Sequence, residues 1–267
     1  LEAHLTKAGG TFRRGAEALY GAAVDVLAEL GQAPLAADIP AMDITYLAAE
    51  IRLFTEWWPP DGLGEGKLLA HADAWVAAWH EAHVLALAPP KCLALRDFHA
   101  ANLMWLPERH GLDRVGLLDF QDAVAAPLTY DLVSLLQDVR RDVPGELERA
   151  MMARFFAAFA NLDPEAFHAS YAILGAHRNL RIAGIFSRLA RRDGKRGYLQ
   201  YLPRVWQHIA ADLGSPSKHA WSTIKKVLSA NESVVNERKF LQRPNVTMSL
   251  LLRRRQAPGG GEQCRWR

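Results

Sequence analysis

The residues that can do chemistry in this chain are concentrated between Cys92 and Ser134, in CLALRDFHAANLMWLPERHGLDRVGLLDFQDAVAAPLTYDLVS. Asp97 is followed five residues later by Asn102, and Asp119 and Asp122 come after the next apolar runs. An Asp and an Asn on one loop can aim both side chains into one cavity. An Asp at the end of the following hairpin strand can reach the same cavity. Two carboxylates and an amide oxygen make a hard oxygen site suited to Mg²⁺, which keeps coordination positions open for phosphates. The spacing R-D-x-x-x-x-N followed by D-F is that of a phosphoryl-transfer loop. Here it reads Arg96-Asp97-Phe98-His99-Ala100-Ala101-Asn102 and then Leu118-Asp119-Phe120-Gln121-Asp122. The plain alternative is a pair of Asp residues capping turns and an Asn in a left-handed turn position. Either half of the pattern arises by chance in many chains. Both halves at the ends of apolar runs favour the phosphoryl-transfer reading.

The elements that must position these residues follow from periodicity. The apolar runs Cys92–Leu95, Leu103–Leu106 and Val115–Phe120 read as short strands, with a turn at Pro107–Asp113. Around them the spacing predicts helices. Gly15–Leu30 carries Leu19, Ala23, Val26, Leu27 and Leu30 on one stripe, with Gly31 as its stop. Met42–Trp58 repeats Leu47, Ile51, Phe54 and Trp58, with Asp43 in the first turn. Leu68–Leu87 places Trp75, Val76 and Trp79 inward, and its His71, His80 and His83 read as surface or half-buried polar contacts. Asp131 is expected to cap a helix reaching about Arg140, and Pro144 fits the first turn of the next. Asp163-Pro164 starts a long helix whose basic line of Arg178, Arg181 and Arg188 faces either phosphate, substrate or water, with water the expectation for any one of them. Arg191–Lys195 reads as a turn, and Gly197–Leu213 as the last helix. The glycines of DGLGEGK at Asp61–Lys67 have the wrong spacing for a Walker loop, and Leu68 stands where a Ser or Thr is needed.

At these residues the chain resembles the aminoglycoside phosphotransferase-like small-molecule kinases. Within them it is most similar to the branch of cell-wall amino-sugar kinases acting on N-acetylmuramate and N-acetylglucosamine. The resemblance is carried by LRDFHAANLMWL, by GLLDFQDAVAAPLTYDLVSLLQDVRRDVP and by HRNLRIAGIFSRLARRDGKRGYLQYLPRVW, and covers about residues 15–213. It implies that Asp97 is the catalytic base, that Asn102 and Asp119 hold Mg²⁺ and with it ATP, and that Asp131 braces the catalytic loop. Arg96, His99 and Asp122 are substrate-binding or structural. Glu50, Trp57 and Trp58 are candidates for the acceptor pocket, though aromatics at helical spacing are more often core. One departure stands at Leu95, where kinases often carry His two residues before the base.

The implied fold is mainly α with a small β-hairpin catalytic segment, the C-terminal lobe of a protein-kinase-like α+β fold. A complete kinase also needs a strand-rich N-lobe with a lysine on the nucleotide phosphates. Nothing upstream of Asp97 has strand periodicity, and Lys7, Lys67 and Lys91 lie in unsuitable contexts. The expectation is a chain with the N-lobe missing. It divides into a residual interlobe linker at 1–14, a phosphotransferase C-lobe at 15–216, and a basic, disordered or non-native tail at 217–267. That tail holds 11 Lys and Arg against 3 Asp and Glu.

Composition narrows the classes. Half of the 267 residues are apolar, enough for a sizeable core. Two cysteines, Cys92 and Cys264, exclude a disulfide scaffold, and Cys92 is expected buried. There is no apolar run long enough to span a bilayer and no signal peptide. The expected location is cytoplasmic, the partner a small-molecule hydroxyl acceptor, with no membrane or nucleic-acid role. The expected function is ATP- and Mg²⁺-dependent phosphoryl transfer to an amino sugar or aminoglycoside-like acceptor. The alternative is an inactive truncated kinase lobe that serves as a binding module or self-associates through an exposed interlobe surface.

Overall fold

The computed structural model describes residues 15–59 and 69–215, together with 217, 220, 222, 223 and 225. The linker at 1–14, the glycine-rich stretch 61–67 and most of the tail lie outside the described residues. Seven α-helices are named here: α1 Ala16–Gln32, α2 Ile44–Trp57, α3 Ala72–Ala86, α4 Thr129–Leu136, α5 Gly145–Ala157, α6 Pro164–Arg192 and α7 Leu202–Asp212. Four short strands fall between α3 and α4: β1 Lys91–Ala94, β2 Leu103–Trp105, β3 Val115–Leu117 and β4 Val124–Pro127. Among the described residues no strand precedes Lys91, and only an isolated bridge joins Ala41 to Ala125. The architecture is mostly helical with two small sheets.

Both sheets are antiparallel pairs. β2 and β3 form a hairpin in the register Leu103↔Leu117 and Trp105↔Val115. β1 pairs with β4, Cys92 opposite Ala126. The periodicity missed β4, because Val124–Pro127 is alanine-rich and ends in proline, a poor strand signal. Its pairing is set by context: Ala125 N–H donates to Pro40 O and Met42 N–H to Ala125 O, each at 2.8 Å. This stitch fixes where α2 begins, so α2 starts beside the β1–β4 pair.

α6 is the core element. Its 29 residues start behind an Asp163 side chain that accepts from Ala166 N–H at 2.9 Å, and 19 of them are buried. A helix that is buried nearly all round must satisfy its own polar side chains. Ser170 Oγ lies 2.6 Å from Thr129 Oγ1 on α4 and 2.6 Å from Ala86 O on α3. Asn179 Nδ2 donates to Gln137 Oε1 at 2.8 Å, and Gln137 Nε2 donates to Asp212 Oδ1 on α7 at 2.7 Å. Gly184 lets α6 cross α2 closely: a Cβ there would stand 2.5 Å from Leu53 O. α6 also runs on through Arg191 and Arg192, which were expected in a turn, and a 3₁₀ stretch Arg196–Tyr201 precedes α7.

Two sequence expectations are overturned by packing. Gly31 does not stop α1, which continues to Gln32; a Cβ at Gly31 would meet Phe159 Cζ at 2.7 Å and Leu128 Cδ2 at 2.8 Å. The glycine is there for close approach. His83 is no surface or half-exposed polar contact. It is 1% exposed, stacks on Trp79 at 5.6 Å between ring centroids, and meets His177 edge-on at 5.1 Å. His71 and His80 are exposed, as expected of polar positions on that helix.

Neither ring nitrogen of His83 has a hydrogen-bond partner, and burial, reinforced by His177 and His80, pushes its pKa down to about 2. The native state holds His83 neutral, while the unfolded chain protonates it near 6.5. Below that pH the unfolded state binds the extra proton, so stability falls as the pH drops from 6.5 toward the folded value. The loss from this group approaches about 1.4 kcal/mol per pH unit. His83→Phe removes it while keeping a ring in the stack. Urea unfolding of the variant should lose about 1 kcal/mol less than wild type between about pH 6 and 5. Equal losses in the two proteins would mean that His83 is hydrated.

Candidate active site

The site is assembled from a loop, a hairpin end and two helices. β1 ends at Ala94, and the chain turns sharply at Arg96, whose φ of 70° lies in the left-handed region. A non-glycine residue there is strained unless its surroundings hold it. They do. Leu95 N–H and Arg96 N–H both donate to the Asp131 carboxylate, at 2.5 and 3.0 Å. Ser134 Oγ donates to Arg96 O at 3.1 Å. Asp131 therefore does not cap α4 as the sequence suggested. It sits inside the first turn of a helix that begins at Thr129 and ends at Leu136, well short of Arg140, and its side chain reaches back across the fold. Burial pushes its carboxyl up to about 7, against the pull of the two amide donors.

Downstream of this brace the loop folds on itself. Asp97 N–H donates to Leu95 O, His99 N–H to Asp97 O and Asn102 N–H to His99 O, at 2.9 to 3.0 Å. Asn102 Nδ2 donates to Asp97 O at 3.0 Å. With its nitrogen engaged, the Asn102 amide keeps its oxygen as the free acceptor. Leu118 N–H donates to Asn102 O at 3.0 Å, which continues the β2–β3 ladder by one step and delivers Asp119 to the same hairpin end. Asp119 also lies in the left-handed region, with φ 61°, and its Oδ1 accepts from Gln121 Nε2 at 2.7 Å. Asp97 and Asp119 are exposed, and Asn102 is half-buried.

The loop thus places Asn102 and Asp119 at one end of one hairpin, with Asn102 tied to the Asp97 backbone. The side-chain oxygens of these three residues, two carboxylates and one amide with its nitrogen tied back, fit a hard cation that retains open positions. Among the described residues no group of three or more His, Cys, Asp or Glu could hold a metal ion. Asp122 is exposed in the turn after Asp119. His99 is buried, with Nδ1 unpartnered, and burial lowers its pKa. Met104, Leu118 and Phe120, on or just after the hairpin strands, are 46%, 47% and 57% exposed.

A second layer comes from α2 and α6. Glu50 is buried; its Oε1 lies 2.9 Å from Arg181 Nε and 3.4 Å from Arg96 Nη2. The Arg181 contact is close but poorly angled for a hydrogen bond, so it acts mainly as an ion pair. Arg96 also lies 5.6 Å over the Tyr46 ring. Glu50 is therefore tied to the residue that precedes Asp97. The neighbouring tryptophans are not: Trp58 packs on Phe54 and Trp206, and Trp57 takes Arg191 over its ring. Arg178, assigned to water by its sequence pattern, is 7% exposed. Periodicity could not find this, because it marks a basic face without saying which way the face turns.

A lobe with an Asp-x₄-Asn loop and a second Asp at the same hairpin end, carried on a helical body, is phosphotransferase in type. Residues 6–169 match the Phosphotransferase enzyme family, and the chain belongs to it. It is similar to three proteins named N-acetylmuramate/N-acetylglucosamine kinase. The protein of Caulobacter vibrioides is 40% identical over 210 residues, 74% of this chain and 57% of that protein. That of Pseudomonas putida is 35% identical over 74% of this chain and 59% of its own length. That of Neisseria meningitidis serogroup B is 35% identical over 78% of this chain and 62% of its own. The chain spans about three fifths of the length of the curated relatives it matches, between 57% and 62%.

The buried brace at Asp131 and the left-handed Asp119 respond differently to substitution. Asp131→Ala strands the buried Leu95 N–H and the part-buried Arg96 N–H and should cost about 2 to 5 kcal/mol of unfolding free energy in urea. Asp119→Gly relieves a left-handed aspartate at an exposed site and should change stability by less than about 1 kcal/mol. A mild Asp131→Ala would show that Ser134 alone holds the loop.

Proposed function

We propose that the chain is the catalytic-loop lobe of an ATP- and Mg²⁺-dependent kinase that phosphorylates a hydroxyl of an amino sugar of the N-acetylmuramate or N-acetylglucosamine class. The observation that supports this is the placement of Asn102 and Asp119 at one hairpin end, with Asn102 tied to the Asp97 backbone and the loop braced by Asp131. The sugar class comes from the named relatives. An aminoglycoside-like acceptor is the second member of the same proposal.

In this reading Asp97 accepts or orients the proton of the acceptor hydroxyl. The hydroxyl oxygen bonds to the γ-phosphorus as the bond from that phosphorus to the β-phosphate bridge breaks, and ADP leaves. Asn102 and Asp119 hold the cation, which supplies charge neutralisation for the phosphates when bound. The exposed Met104 and Leu118 give the adenine ring an apolar seat next to those oxygens. Arg96 and Asp131 act on the loop's shape, His99 and Asp122 on its margins. No helix of the described residues is long and apolar enough to cross a membrane. A cytoplasmic location belongs to the proposal. Phosphoryl transfer rests on positioning and charge stabilisation, so an unclamped nucleotide would be turned over slowly.

Calorimetric titration of Mg²⁺-ATP into the chain should show saturable binding. Asp119→Ala should weaken it at least about ten-fold through the lost charge-assisted cation contact. Binding unaffected by Asp119→Ala, or no binding to a folded sample, would overturn the nucleotide half of the reading. Where transfer to the sugar is measurable, Asp97→Ala should lower kcat by about 10² to 10⁴.

A further inference from the structure

Arg96 is held at three points, two on its backbone and one on its side chain. Its N–H donates to Asp131 Oδ1 at 3.0 Å, and its carbonyl accepts from Ser134 Oγ at 3.1 Å. Both of these partners lie on α4. Anchoring the two ends of a residue still lets its Cα and side chain swing about the line between them. At φ 70° that freedom matters, because a non-glycine residue leaves the left-handed region unless its surroundings hold it.

The third point comes from α2. Tyr46 and Glu50 are four residues apart and share one face of that helix. The Arg96 guanidinium lies 5.6 Å over the Tyr46 ring, and its Nη2 stands 3.4 Å from Glu50 Oε1. The Glu50 side chain is 11% exposed and that of Arg96 24%, so salt screens their attraction less than on an open surface. Glu50 is itself fixed from behind, since Arg181 of α6 brings its Nε to 2.9 Å from the same oxygen. The platform is anchored too: α2 starts at the Asp43 cap, next to the Met42 N–H bond to Ala125 O. A turn of Arg96 toward negative φ would swing its Cβ and lift the guanidinium off both partners.

The loop beyond Arg96 depends on that orientation. The Asp97 carbonyl is the acceptor for Asn102 Nδ2 at 3.0 Å. If the peptide between Arg96 and Asp97 turned, Asn102 would lose this acceptor. Its amide could then rotate and present nitrogen where a cation needs oxygen. We propose that Glu50 is a positioning residue of the phosphoryl-transfer site, acting through the Arg96 side chain to keep Asp97 and the Asn102 oxygen in their orientation. This rests on the kinase reading above and deepens it.

The test is hydrogen exchange of the whole chain, with residues 97–102 reporting the loop and residues 170–176 of α6 reporting the fold. Glu50→Gln keeps the shape and removes the charge. It should speed exchange in 97–102 at least about ten-fold and leave 170–176 within about two-fold of wild type. Arg96→Met keeps the stem over Tyr46 and loses the head, and should speed the loop in the same way. Adding Glu50→Gln to Arg96→Met should then change the loop by less than about two-fold, because Glu50 acts only through that side chain. Mg²⁺-ATP affinity, read in parallel, should fall in Glu50→Gln. Loop exchange unchanged in Glu50→Gln overturns the inference. So does an equal rise in both segments, which would make Glu50 a general prop of the α2–α6 contact. A full effect of Glu50→Gln in the Arg96→Met background also overturns it and assigns the influence to Arg181. A wild-type chain that binds no Mg²⁺-ATP removes the kinase reading, while exchange still decides whether Glu50 holds the loop. Arg96→Met leaves the Glu50–Arg181 pair intact, so misfolding of Glu50→Gln does not shield the proposal.

Discussion

One buried carboxylate sets the geometry on which the site depends. Asp131 takes the amides of Leu95 and Arg96 together, and so fixes the backbone where strand β1 becomes the catalytic loop. Without those two acceptors Arg96 has no reason to stay at positive φ, and Asp97 would not be presented outward. The cost of burying Asp131 is visible in its raised pKa. The compensation is local: two donors on the charged oxygens, and a helix whose first turn places the carboxylate near its own positive end.

The rest of the fold can be read as support for that contact. α4, which carries Asp131, is buried along its whole length and is pinned to α6 through Thr129 and Ser170. α6 is pinned in turn to α7 through Asn179, Gln137 and Asp212. α2 is held by the Ala41–Ala125 bridge at its entry and by the close crossing at Gly184. Each connection uses small side chains or a shared polar network. A shift in α6 would therefore reach the loop by two routes, through Asp131 and through Glu50.

Much of this was legible in the sequence, and the reasons differ by element. The family was legible because the Arg96–Asn102 and Leu118–Asp122 segments carry residue types at fixed spacing, independent of packing. The long helix was legible from Asp163-Pro164, a local signal at its start. β4 was not, since its pairing is decided by Pro40 and Cys92, far away in sequence. Gly31 and His83 were misread for a related cause: glycine and histidine have several uses, and only the neighbours choose among them. Glu50 was singled out in the sequence with Trp57 and Trp58, but the structure joins only Glu50 to the loop. Gln121 and Ser134, which hold Asp119 and Arg96, carried no sequence signal at all.

Burial along α6 demands partners for its polar groups. Ser170, Asn179 and Ser187 each give a hydrogen to a carbonyl or amide inside the core. His177 Nε2 finds Leu47 O at 3.0 Å. These are the polar groups of a helix that must survive burial. Arg178, between two of them, is different. It is buried and carries a full charge, and burial lowers its pKa against the pull of Tyr130 and Asp138. Packing alone does not account for such a residue, because leucine at that position would bury more cheaply. Its placement makes sense beside the acids that offset its charge, Asp138 and the Asp131 that braces the loop.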